Sequence, residues 1–74
     1  MRMVYLVATK FGEQTGYSVA FTKDEIFSSL LIKEKVLFFV EGDADVLGDK
    51  NVVPLLEDKL RQEAQLRGIV IQGL

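Results

Sequence analysis

The stretch VLFFVEGDAD, Val36 to Asp45, decides how this chain is read. Five apolar residues run straight into a glycine and three carboxylates. An unbroken run of apolar residues, four of them β-branched or aromatic, suits a strand covered on both faces, as in the middle of a sheet. The acids that follow admit two readings. As a polar loop they end the strand and lead toward a helix. As a cluster of oxygen ligands at a strand end, Glu41, Asp43 and Asp45, with Asp49 further on, hold Mg²⁺ through one or two carboxylates and water. Loop and cap, with no cofactor, is the preferred reading, and Mg²⁺ is the alternative. The spacing is not that of an EF-hand, because the glycine and the distal glutamate are misplaced.

Working outward, Met3 to Thr9 (MVYLVAT) is a second run that is apolar on both parities, and predicts a strand. Phe11 to Gly16 breaks it with two glycines. Tyr17 to Thr22 then alternates, with Tyr17, Val19 and Phe21 against Ser18, Ala20 and Thr22, as the second strand of a hairpin at a sheet edge. Thr22 followed by Glu25 is a capping box, in which hydroxyl and carboxylate satisfy orphan backbone N–H groups at a helix start. Ile26, Phe27, Leu30 and Leu31 share one face of that helix, which is expected to end near Lys33 to Lys35. Ser28 and Ser29 fall on the other side.

After the acids, Asn51 is the expected N-cap of a second helix, with Pro54 in its first turn, where a missing N–H costs little. Gly68 stops it after Arg67. Glu57 and Asp58 near the start and Arg61 and Arg67 near the end suit the helix dipole, and Glu57/Arg61 and Glu63/Arg67 are spaced i, i+4. Val52, Val53, Leu56, Leu60 and Ala64 form its core stripe, with Leu55 and Leu66 off to the side. Ile69 to Gln72 is expected to be a short last strand.

The expected fold is a single domain over residues 1–74, α/β (α+β) in class. Its order is ββαβαβ, with a four-stranded mixed sheet and two helices on one face. A strand order such as 2-1-3-4 gives that result when both right-handed crossovers step the same way. The other face would then be bare and apolar, larger than soluble monomers usually expose. A two-fold homodimer is the simplest cover.

Composition points the same way. The chain has 74 residues, 49% of them hydrophobic, with a mean hydropathy of +0.20. A domain this small buries only roughly 60% of its unfolded surface, so it needs help from disulfides, a metal or a partner. There is no cysteine and no histidine, which removes disulfides and the common zinc ligands. An enzyme would have to work without imidazole or thiolate, leaving a serine such as Ser28 without its usual base.

Eleven acids against nine bases give a net charge of −2, with no basic stripe for a phosphate backbone, so direct nucleic-acid binding is not expected. No apolar run is long enough to span a membrane, and no secretory signal stands at the N-terminus, so a cytoplasmic location is expected.

VLFFVEGDADVL, followed by a helix containing VVPLLEDKL and the segment GIVIQG, resembles the first half of a Toprim domain, a family found in primases, topoisomerases and related nucleases. The likeness covers Val36 to Gly73. It implies a strand ending in Glu41-Gly42, with Glu41 in the place of the family's catalytic glutamate and Asp45 in that of the acid that follows. The implied role is that of a Mg²⁺-binding fragment acting on or regulating nucleic-acid enzymes. The family's second acidic element, Asp-x-Asp, does not occur after GIVIQG, so half of such a site is present. The leading functional expectation is therefore a small non-enzymatic interaction module that forms homo-oligomers or takes a protein partner.

Overall fold

In the computed structural model, which describes residues 1–28 and 35–74, β1 (Met3–Phe11) and β2 (Gln14–Ala20) form the expected hairpin. Only Gly12 and Glu13 join them, with Phe11 opposite Gln14 and Tyr5 opposite Ala20. A two-residue hairpin loop of type II′ needs a left-handed residue at its first position. Gly12 supplies it with φ +61°, and no non-glycine residue among those described has a positive φ. So tight a loop carries the pairing further than the alternation indicated, and Gln14, Thr15 and Gly16 belong to β2.

β3 (Lys35–Asp43) pairs antiparallel with the other side of β1, giving the order β2-β1-β3. β2 and β3 thus run in the same direction, as strands joined through a helix were expected to. Ala8 faces Phe38 and Thr9 faces Val36, so Leu37 bulges out of register. β1 is the central strand, and Val4 through Thr9 are all buried.

α1 (Lys23–Ser28) starts at the predicted cap. Glu25 N–H donates to Thr22 Oγ1 at 3.1 Å, and Glu25 Oε2 accepts from Phe21 N–H at 3.0 Å, one residue before the usual capping-box partner. Ile26 is fully buried against Tyr5, Val7 and Ala20, whereas Phe27, expected beside it, is largely exposed. Leu30, Leu31, Ser29 and the expected helix end near Lys33 lie outside the described residues, while Lys35 already belongs to β3.

Asp43 leads into a short α2 (Ala44–Leu47), then Gly48, then α3 (Asp49–Arg67). α3 begins two residues before Asn51, whose Nδ2 donates to the Leu47 carbonyl at 3.0 Å instead of capping. Pro54 consequently sits in the second turn, where the exposed Lys50 carbonyl loses its i+4 donor. The predicted stop holds. Gly68 is left-handed at φ +69°, its N–H reaches the Ala64 and Gln65 carbonyls, and Ile69 N–H returns to Ala64 O at 2.8 Å. Val52, Leu56, Leu60 and Ala64 bury themselves on Val4, Leu6, Ala8 and Phe38. Gly42 lets the helix approach closely, since a Cβ there would stand 3.0 Å from Val52 Cγ2 and 3.1 Å from Leu56 Cδ2.

Two expectations are corrected. The helices do not share a face: Ile26 of α1 packs on the side of Tyr5 and Val7, and α3 packs on the side of Val4, Leu6 and Ala8. Successive side chains of a strand point to opposite faces, so β1 offers apolar surface to both helices. The expected geometry assumed two crossovers stepping the same way. Instead α1 packs on one face and α3 returns across the other, so no face is left without a helix.

The second correction concerns the last strand. Ile69 to Gln72 is not a strand, and it lies beside β2 instead of β3. It makes one backbone bond to the sheet, Gln72 N–H to Thr15 O at 2.9 Å, while Ile71 is buried in the α3-side core. The class α+β stands, with three antiparallel strands and three helices among the described residues. No helix among them is long and apolar enough to cross a membrane.

Candidate functional site

Glu41 and Asp43 are two residues apart in β3 and share its α1 face, opposite Tyr5 and Met3. Asp45 follows on α2 and Asp49 opens α3. Three of these four acids are occupied by the fold. Asp43 Oδ1 accepts from Asp45 N–H at 2.9 Å and from Val46 N–H at 3.4 Å, which makes it the N-cap of α2. Asp45 Oδ2 accepts from the Arg2 backbone N–H at 2.7 Å and lies 3.5 Å from the Met1 ammonium. Asp49 pairs with the Arg2 guanidinium at 3.1 Å.

The acids thus cap a helix and hold the N-terminal strand against the turn, where Ala44 N–H also donates to Arg2 O at 2.9 Å. Glu41 stands apart, exposed on the strand. Among the described residues, no three acids converge in a geometry that would hold a metal ion. Arg2, which organises this corner, was not singled out in the sequence. Its partners are 43 and 47 residues away, beyond any local spacing rule.

Tyr17 is a second polar contact that local spacing could not show. Its hydroxyl donates to Glu57 Oε2 at 3.1 Å, tying β2 to α3. That hydrogen bond, with some burial, holds the phenol above its ordinary value of 10.0, and the Arg61 charge partly offsets the shift. Glu57 is therefore engaged across the fold, and Arg61 pairs with Asp58 at 2.7 Å instead. The Glu63/Arg67 pair forms as predicted at 3.4 Å, while the Arg67 guanidinium lies 4.5 Å from the centre of the Phe38 ring.

The feature that stands out is the outer edge of β3. Its composition is that of a central strand, yet among the described residues its only strand neighbour is β1. Only Phe38 and Gly42 are buried along it, against six consecutive buried residues in β1. Phe39 is 36% exposed at its middle, in an edge-to-face contact with Tyr5 at 6.0 Å between ring centres. Exposed edges are usually protected by charge, proline or irregularity. Lys35, Glu41 and Asp43 stand only at the ends of β3, the bulge is confined to Leu37, and Val36 to Val40 carry no charge.

The chain matches no protein family, no curated protein and no solved structure. The site is therefore read from its own geometry.

Proposed function

We propose that the chain is a small non-enzymatic interaction module that self-associates by strand addition along β3. The observation that carries this reading is a strand of central-strand composition lying at a sheet edge. An unpaired row of backbone N–H and C=O groups flanked by apolar side chains is a ready template for another strand. The bare sheet face expected from the sequence is not present, so the reading rests on the edge alone. Small size supports the same reading, since a domain of this length without disulfides gains from a partner.

The test is sedimentation velocity across a concentration series, comparing the parent chain with Phe39→Lys. A charge in the middle of the exposed edge adds a desolvation cost to any strand that docks there. The parent is expected to reach the mass of more than one chain at tens of micromolar, and Phe39→Lys to stay at the mass of one with an unchanged circular dichroism spectrum. A parent that remains monomeric overturns the reading.

A further inference from the structure

The strand β2 is a sheet edge that does not protect itself. Its seven residues, QTGYSVA, carry no charge and no proline, and it pairs with β1 from Tyr5 opposite Ala20 to Phe11 opposite Gln14 without a bulge. An edge of that kind is a template for another strand unless something covers it. Among the described residues, what lies along it is the segment 69–74. Gln72 N–H donates to Thr15 O at 2.9 Å, and Ile71 is buried in the α3-side core with Ile69 and Leu74 packed against the same cluster. A Cβ on Gly73 would stand 3.5 Å from Tyr17 Cε1.

This cover has the composition of a strand and not its form. Ile69, Val70 and Ile71 are β-branched, which favours strands. Yet Gln72 and Gly73 form a turn, with Leu74 N–H on the Ile71 carbonyl at 3.4 Å and Gly73 at a φ of +89°. A turn does not present the regular row of backbone groups that a further strand needs, so the ladder ends at this segment. The left-handed Gly68 directs the chain off α3 toward it. Tyr17 joins the cover to the helix, with its ring beside Gly73 and its hydroxyl on Glu57.

We propose that residues 69–74 are a guard over the β2 edge, anchored by Ile71 and by the Gln72–Thr15 bond, and that they close this edge to strands of a second copy. The guard also limits association along β3, a consequence that rests on the strand-addition reading above. A sheet with two open edges adds copies head to tail, β3 onto β2, without a stopping point, and covering β2 forbids that growth.

Sedimentation velocity on the full chain tests the guard in a Phe39→Lys background, where β3 is closed by its own charge and the outcome does not depend on β3. Gln72→Pro removes the donor to Thr15 at an exposed position and leaves the core intact, and Ile71→Asp removes the buried anchor. Each double variant is expected to self-associate at least about tenfold more tightly than Phe39→Lys alone. Adding Val19→Lys, a charge on an exposed residue of β2 beyond the cover, is expected to return the chain to the mass of one. If Ile71→Asp loses the parent circular dichroism spectrum, Gln72→Pro decides. A folded Gln72→Pro variant that stays at the mass of one overturns the guard, and so does association that survives Val19→Lys. A monomeric parent with associating double variants supports the guard and overturns strand addition at β3.

Discussion

Among the described residues, the two faces of the sheet are covered by unequal means. On one side, the 19-residue α3 lays Val52, Leu56, Leu60 and Ala64 along β1, and this side is further fastened by Tyr17 on Glu57 and by Arg67 on Phe38. On the other side, the described contact is Ile26 of α1 against Tyr5, Val7 and Ala20, with Phe27 and Phe39 left partly in solvent. A long amphipathic helix presents a continuous apolar stripe over several turns and so can cover much of a strand. A helix described for six residues offers one buried anchor. Stability is therefore expected to reside on the α3 side, and association at the margin of the α1 side, where Phe39 meets the open edge.

The largest expected effect tests that division. Leu56→Ala removes a fully buried side chain from the α3 side and should cost about 2–5 kcal/mol, whereas Phe39→Ala, already partly exposed, should cost less than about 1.5 kcal/mol in the monomer. Urea denaturation at a dilution that keeps the chain monomeric measures both. Equal losses would break the comparison.

Smaller effects belong to the two caps that turn the chain onto each face. Asp43→Ala removes the acceptor that starts α2 and leads into α3, and Thr22→Ala removes the one that starts α1. Each should cost about 1 kcal/mol, read as a shift in thermal midpoint. Asp43→Asn keeps an acceptor oxygen in place and should be close to neutral. The same measurement addresses the alternative reading of the acids. If Mg²⁺ raises the midpoint of the parent and not of Asp43→Asn or Glu41→Gln, the carboxylates hold a metal, and the cap is only part of their work.

The smallest effect is confined to alkaline pH. The Tyr17 phenol sits above its ordinary value in the folded chain because its hydroxyl donates a hydrogen bond to the Glu57 carboxylate, which favours the protonated form. A group with a raised folded value contributes stability that is fully present below its unfolded value, near 10, and is lost as pH rises through the folded one. Thermal scans from neutral pH to above that value should show a decline in the parent that Tyr17→Phe lacks.

Much of this was legible in the chain itself. The hairpin, the capping box at Thr22 and Glu25, the stop at Gly68 and the core stripe of α3 are set by residues within a few positions of one another, and local backbone and side-chain chemistry decides such features. Asn51 misled because the N-cap position falls three residues earlier, at Gly48. For the acidic stretch, the capping role was available from the residues, but the loop was not found, since Glu41 and Asp43 belong to β3 and Asp45 to α2. The partners were not legible either, because Arg2 reaches Asp45 and Asp49 only after the sheet has formed.

What the sequence by itself determined is the set of elements and the abundance of apolar strand surface that they carry. Periodicity and capping are short-range, and an unbroken apolar run states only that cover is required. Where the cover lies was decided by tertiary structure alone. Once α3 returns over the sheet toward β2, each face of β1 meets a helix, and Ile69 to Gln72 is held by one backbone bond beside β2, too little to build a fourth strand. The strand that reads as central is then left at an edge, because the direction in which a connection crosses the sheet depends on packing between distant residues and is written in no local pattern.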